Sequence, residues 1–401
     1  MLDLEKLAPD MHRLVARRQR EAEQVAAACN LGADLLAGLG AGWSELRARI
    51  EQASTSWLLA DLLEDPSRRM PAPGCPDAYT VLATDGSQIA ADRHEVDGCA
   101  VLNVGKVTLR YGSAPSAELV AEPQVVIEED EVNPGRKNPL GTAMPTLSLA
   151  LRRTMAEIAA LGELIREAGA GGAPTVAMVD GSLIQWPLEG EDPDCRDVVM
   201  GCVRAALDDA MERRIPVVGY VSRPGSRDVA NALRVLRCPH PLARCETYCA
   251  EHARPRRRSA PCGEIDLAVD RMLFSRLLGA DERSALFGTR SKVEQYYTVH
   301  GCEHHRTRFC YLNAGGEIVR LETPAWVADD AALMDLVHGV CLDQVNKGQG
   351  YPRALTEAHE LAVVRGPDRA RFYDTLEGML ARARLPIAVT RKALAKRTRS
   401  L

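Results

Sequence analysis

The stretch AYTVLATDGS, residues 78–87, and its echo TVAMVDGSL, residues 175–183, decide the fold. Each is a short apolar, β-branched run that closes on Asp-Gly-Ser, so each reads as a buried strand ending in a turn. Between them, VDGCAVLNVGKVTLRYG (96–112) predicts two strands joined at 103–106, with Gly105 at the bend. An acidic, proline-containing loop over 127–139 follows. A helix is then predicted over 146–168, with Leu147, Leu151, Ile158 and Ile165 on one face. After the second Asp-Gly-Ser come a helix over 196–213 and the strand IPVVGYV (215–221). The order is three strands, helix, strand, helix, strand. A helix between two such strands predicts a crossover and a parallel pair, hence an α/β fold with a mixed sheet flanked by helices.

Upstream, residues 1–65 read as helix, with Leu35, Leu36, Leu39, Leu46 and Ile50 at helical spacing. The four-proline stretch PSRRMPAPGCP (66–76) reads as a boundary. Downstream, RFCYLNAGGEIVRLE (308–322) predicts a hairpin around 314–316, and helices are expected over 330–346, 353–364 and 367–383.

A chain of 401 residues with 46% hydrophobic and 26% charged residues builds an ordinary globular core, here chiefly from Ala, Val and Leu because only four Phe are present. The net charge of -5 excludes a uniformly basic nucleic-acid coat, so any such contact must come from local patches. Residues 1–30 hold no signal-like apolar core, and no uncharged run approaches the roughly 18 residues of a membrane span. A cytoplasmic protein with no membrane contact is expected, its twelve cysteines being thiols or metal ligands.

The chemistry is expected at the two strand ends. Asp85 and Asp180 each close a buried strand, and the glycine that follows each lets the backbone turn sharply and a phosphate approach. Sheet-end carboxylates are hard oxygen ligands on rigid supports, suited to Mn²⁺ or Mg²⁺. Two such ions about 4 Å apart can break a phosphodiester. Asp-Gly-Ser is also plain turn chemistry; its repetition at matching topological places is what favours a site. On the intervening helix, Leu147, Leu151, Leu161 and Ile165 lie within about 60° of Ile158. Glu157 sits at the border of that arc and Glu163 opposite it, so Glu157 is either a third ligand or a solvated neighbour of the core. The run Glu128, Glu129, Asp130, Glu131 reads as a solvated loop.

These residues carry a family resemblance. Asp85-Gly86-Ser87-Gln88, Asp180-Gly181-Ser182-Leu183 and the segment KGQGYPRALTEAHE (347–360) resemble the NurA nucleases, prokaryotic enzymes that process DNA ends with the HerA translocase. The resemblance spans roughly 78–365. It implies a ribonuclease H-like fold, a homodimer, Mn²⁺-preferring cleavage of single- and double-stranded DNA, and double-strand break resection in recombinational repair. By motif position, Asp85, Glu157, Asp180 and His359 correspond to the family's catalytic and metal-binding residues. In the third segment, Lys347 can neutralise a phosphate, Tyr351 can stack on a base, and His359 can bind metal or move a proton. Backbone N–H groups at the start of that helix can hold a phosphate. Arg223, after the strand 215–221, is a further candidate phosphate contact.

The expected organisation is a helical N-terminal extension (1–70), a nuclease domain (78–370) and a basic helical tail (371–401). The domain comprises a core over 78–225, a cysteine-rich insertion over 238–262 and a C-terminal motif over 347–364. In the insertion, Cys238, Cys245, Cys249 and Cys262 could bind Zn²⁺ or an iron–sulfur cluster, or remain free thiols, since no tight Cys-x-x-Cys pair is present. His300, Cys302, His304 and His305 form a weaker cluster. Arg254, Arg256, Arg257, Arg258 and the basic tail could track phosphates. The expected function is a metal-dependent deoxyribonuclease whose ATP-driven partner is a separate HerA-like hexameric ATPase, because the chain has no Gly-x₄-Gly-Lys-Ser/Thr loop. The competing expectation is a non-catalytic adaptor for DNA ends or a translocase, built on a cysteine-bound metal module.

Overall fold

The computed structural model describes residues 4–90, 99–127, 147–168, 172–249 and 260–385. The acidic run 128–131, the arginines 254–258 and the part of the basic tail beyond residue 385 lie outside them. Helices α1 (Leu4–Ala37) and α2 (Trp43–Glu51) open the chain, followed by short strands β1 (Ala60–Leu62) and β2 (Arg69–Met70). Then come β3 (Tyr79–Ile89), β4 (Cys99–Tyr111), β5 (Ser116–Ile127), α3 (Leu149–Glu167), β6 (Thr175–Asp180), α4 (Pro193–Glu212) and β7 (Val217–Val221). Next are α5 (Asp228–Leu236), α6 (Cys245–Tyr248), α7 (Asp270–Phe274), β8 (Arg283–Ser284), β9 (Phe287–Thr289) and α8 (Gln295–Val299). The hairpin β10 (Thr307–Ala314) and β11 (Glu317–Pro324) leads to α9 (Ala325–Ala328), α10 (Ala331–Lys347), α11 (Arg353–Ala362) and α12 (Gly366–Arg382). No single described helix is long and apolar enough to cross a membrane.

The chain divides into two units, the first comprising Met1–Gly74, Gly181–Ile184 and Val218–Asp343, the second the remainder. In the second unit the strand order is β6-β3-β4-β5. β3 and β4 are antiparallel from Tyr79 opposite Tyr111 to Ile89 opposite Val101, and β5 continues antiparallel on β4. β6 returns parallel to β3, with Thr80 beside Thr175 and Thr84 beside Val179. An antiparallel meander followed by a helical crossover to a strand parallel with the first is the ribonuclease H-like arrangement.

Alternation along β3 sorts its side chains between two covering helices. Thr84 donates its hydroxyl to the Glu157 carbonyl at 3.1 Å, which marks the face under α3. Asn103, paired with Ser87, donates to the carbonyls of Leu361 and Ala362 at 2.9 Å, which marks the face under α11. α11 turns Ala354, Leu355, Ala358 and Ala362 inward against that face.

Strand expectations are corrected here. The strand predicted over 78–87 does not turn at Asp85-Gly86-Ser87: β3 runs on through these residues to Ile89, each paired with β4. Residues 99–111 are a single strand and not a hairpin, and Gly105 sits in its middle. A Cβ at Gly105 would lie 2.4 Å from the Ala358 carbonyl, so the glycine admits α11 onto β4 and does not make a bend. The third strand of the meander is β5, an outer strand whose described side chains are exposed from Ser116 to Val125. It carries Pro123, which an edge strand tolerates. Likewise, residues 52–65 are not helical throughout, because β1 pairs with β9 there.

The first unit orders its strands β1-β9-β10-β11-β7, with β8 pairing β10 and β2. Its core gathers the C-terminal half of α1, α2, α5 and three of the chain's four phenylalanines, Phe274, Phe287 and Phe309. Phe274 stacks on Tyr311 with ring centroids 4.5 Å apart. Among these rings Arg320 pairs with Asp228 at 2.8 Å and Glu322 at 2.7 Å, and lies 3.6 Å over Phe309. Glu322 uses its other oxygen to accept from Ser182 Oγ at 2.7 Å and the Leu183 N–H at 2.8 Å. The serine of the second Asp-Gly-Ser is therefore held by a buried, already paired carboxylate, a long-range partner that local sequence does not disclose.

Candidate active site

The parallel register of β3 and β6 brings the two aspartates together. Thr84 and Val179 are partners, so Asp85, inside β3, lies beside Asp180, the last residue of β6, on adjacent strands about 4.8 Å apart. In-register neighbours of a parallel pair share a face, here the one under α11. Asp85 Oδ1 accepts the Gly86 N–H at 2.8 Å, while Oδ2 lies 2.9 Å from Nδ1 of His359 on α11. Asp180 Oδ1 accepts the hydroxyl of Tyr351 at 2.6 Å.

Glu157 comes from α3, on the other side of the sheet. It can approach because residue 86 has no side chain: a Cβ there would lie 2.4 Å from Glu157 Oε1. Its carboxyl is pushed up to about 7, first by burial and then by the charges of Asp85 and Asp180. Arg153, 3.2 Å away on the preceding turn of α3, opposes the shift without cancelling it. Three carboxylates thus share one neighbourhood and repel one another, one of them holding its proton near neutral pH. The donor set is hard oxygen on a rigid sheet end, and an added divalent cation would relieve the repulsion, so these residues fit Mn²⁺ or Mg²⁺.

The loop between α10 and α11 is built to deliver Tyr351 and His359. α10 ends with Gly350 N–H on the Val345 carbonyl at 2.9 Å, and Gly350 has φ +116°. Gly348 admits no side chain, since a Cβ would meet the Tyr351 carbonyl at 1.8 Å. Gln344 reaches across the loop, donating to the Tyr79 hydroxyl at 3.1 Å and accepting the Ala354 N–H at 3.0 Å. That amide at the start of α11 is thereby satisfied within the protein. Sequence reasoning missed Gln344 and Arg153, whose signals lie in partners remote in sequence or one helical turn away.

The other expected contacts take specific places. The Lys347 ammonium lies 4.7 Å over the Tyr111 ring and 5.7 Å from the Tyr79 ring, in the same unit as the carboxylates. The Tyr351 hydroxyl is engaged by Asp180, so its first role is to a carboxylate. Arg223 belongs to the first unit, with φ +45° and its N–H on Glu317 at 2.7 Å. Cys238, Cys245, Cys249 and Cys262 also lie in the first unit, all half-buried.

Comparison with known proteins adds three findings. A family model described as the NurA domain matches residues 79–364. No curated protein matches the sequence. Among solved structures, the chain is similar to a crystal structure of NurA with manganese, at 9% identity and a TM-score of 0.38, covering 84% of this chain and 96% of that one. It is also similar to the catalytic domain of human endonuclease V, at 14% identity and a TM-score of 0.31, covering 84% and 96%.

Proposed function

The chain belongs to the NurA family, and on that premise we propose that it is a divalent-metal-dependent deoxyribonuclease hydrolysing phosphodiester bonds in single- and double-stranded DNA. The observation that carries the reading is the meeting of Asp85, Asp180 and Glu157 at one sheet end, with Glu157 pushed up to about 7 partly by the other two. Asp85, Glu157 and Asp180 would hold the cations, Mn²⁺ or Mg²⁺. When bound, these supply Lewis-acid charge for the attacking and leaving oxygens of the displacement.

The chain's own groups do the rest. With Nδ1 donating to Asp85, the His359 imidazole keeps its Nε2 lone pair to accept a proton, and can return it to the leaving oxygen. The side chain is 60% exposed, so a DNA strand can reach it. Tyr351 fixes the orientation of the Asp180 carboxylate. Lys347, close to the two tyrosine faces, adds positive charge to the same unit for a phosphate.

Family membership supports the remaining expectations: action as a homodimer in the cytoplasm, docking to a HerA-like hexameric ATPase, and resection of double-strand breaks. The test is degradation of labelled single-stranded DNA, duplex DNA and RNA with Mn²⁺, with Mg²⁺ and with chelator. The expected result is Mn²⁺-dependent loss of both DNA substrates, abolished by chelation. Absence of metal-dependent cleavage of DNA would overturn the reading and favour an adaptor role; preferential cleavage of RNA would reassign the substrate.

A further inference from the structure

Four of the twelve cysteines, Cys238, Cys245, Cys249 and Cys262, lie in one stretch of the first unit that has little core of its own. Between residues 237 and 249 only Ala243 is buried, and the regular structure there is the four-residue α6. We propose that Cys238, Cys245, Cys249 and Cys262 form a structural Zn²⁺ site that ties the end of α5, the turn of α6 and the 3₁₀ helix Pro261–Ile265 together.

Three separately anchored pieces of chain deliver the four sulfurs. Cys238 follows α5, its N–H on the Val235 carbonyl at 3.2 Å and its carbonyl held by Arg49 at 3.0 Å. Cys245 and Cys249 are one helical turn apart, the Cys249 N–H donating to the Cys245 carbonyl at 2.9 Å, so they share a face. The chain entering that turn is pinned to Ser54, whose N–H donates to Ala243 at 2.9 Å and whose carbonyl accepts from Cys245 at 3.1 Å. Cys262 rides on the 3₁₀ helix, and two ion pairs bind this segment to α5: Arg234–Asp266 at 2.8 Å and Arg237–Glu264 at 3.0 Å.

The Cys245 thiol is pushed up first by burial and then by Cys249, Cys262 and Cys238; Cys249 is pushed up by burial, Cys262 and Cys238. Arg234 acts in the opposite direction on both. It is 4% exposed, and its Nε is buried with no acceptor among the described residues. A buried guanidinium with a spare N–H suits a tetrathiolate centre, whose net charge with Zn²⁺ is negative. Among the described residues no three of these sulfurs lie within 4.8 Å of one another, so binding would draw each in to about 2.3 Å from the ion. His240 is occupied differently, stacked on Tyr248 with centroids 4.5 Å apart.

The full chain, purified under reducing conditions from zinc-supplemented cells and dialysed, should carry about one zinc per chain by elemental analysis. Cys245→Ser with Cys249→Ser should lose it, while Cys202→Ser and Asp85→Asn should keep it, which separates this site from the carboxylates. Cobalt titration of the wild-type chain needs no variant and should give thiolate-to-cobalt charge transfer with tetrahedral d–d bands. A chain that contains no zinc and gives no thiolate–cobalt bands would overturn the proposal. So would zinc unchanged in the double variant, or iron with acid-labile sulfide in its place.

Discussion

His359 Nδ1 lies 2.9 Å from Asp85 Oδ2, joining residues 274 positions apart in the chain. The contact depends on two glycine-dependent features: Gly105 lets α11 settle on β4, and Gly348 lets the preceding loop close. The pair couples a carboxylate held inside β3 to an exposed imidazole. His359→Ala is expected to lower kcat for DNA cleavage about 100-fold, the lower range for a lost acid–base group. Steady-state kinetics at saturating Mn²⁺ checks this, and an unchanged kcat would remove His359 from the chemistry.

Tyr351 acts on Asp180 through a 2.6 Å hydrogen bond from its hydroxyl. Tyr351→Phe keeps the ring and loses the bond. Outer partners of metal ligands contribute 10–100-fold, so about tenfold more Mn²⁺ should be needed for half-maximal activity. Were Tyr351 chiefly a base-stacking platform, the phenylalanine variant would behave as wild type.

Gly86→Ala discriminates stability from function. The added methyl group meets Glu157 first, at Oε1 and along the side chain to Cγ at 2.8 Å, so that side chain must shift, while Gly86 has no positive φ to lose. Stability in a thermal melt should fall by about 1–3 kcal/mol, leaving the chain folded. Cleavage should fall at least about 10-fold, because a ligand displaced by about 1 Å can cost up to 100-fold. Wild-type cleavage by the alanine variant would mean that the position of Glu157 does not matter.

The raised carboxyl of Glu157 gives a pH dependence of defined sign. Between pH about 4.5 and about 7 the folded chain keeps the Glu157 proton that the unfolded chain has lost. The folded state binds more protons there, so stability falls as pH rises through that window and levels off above it. Glu157→Gln should remove this component, gaining on the order of 2 kcal/mol relative to wild type at pH 8 over pH 5, in chelator. Asp270 and Glu294, also pushed up to about 7 by burial, contribute with the same sign, so the difference between the two chains is the readout. Urea melts at the two pH values supply it; parallel behaviour of variant and wild type would contradict the shift.

The legible parts of the sequence were those with local causes. The apolar runs that carry Asp85 and Asp180, the intervening helix and the hairpin β10–β11 each announce themselves by periodicity or turn residues. The turn read at Asp85-Gly86-Ser87 does not form, because β4 pairs with those residues. Glu157 stands at the border of an apolar arc, and α3 brings its carboxyl against Gly86 of β3. β5 was illegible because its described side chains from Ser116 to Val125 are exposed, leaving no burial pattern to read. Gly105 looked like a turn residue because nothing nearby in sequence reveals the helix that lies over it. The engagement of Tyr351 with Asp180 and of Gln344 with Ala354 depends on chain closure, which propensity does not encode.

The most direct test of the carboxylate site is Mn²⁺-dependent degradation of linear DNA by wild type, Asp85→Asn and Asp180→Asn, each first shown to be folded by its thermal transition. Both variants should lose more than about 100-fold, beyond what removal of an outer-shell partner costs. Cleavage at the wild-type rate by either folded variant would contradict a shared metal site at residues 85 and 180.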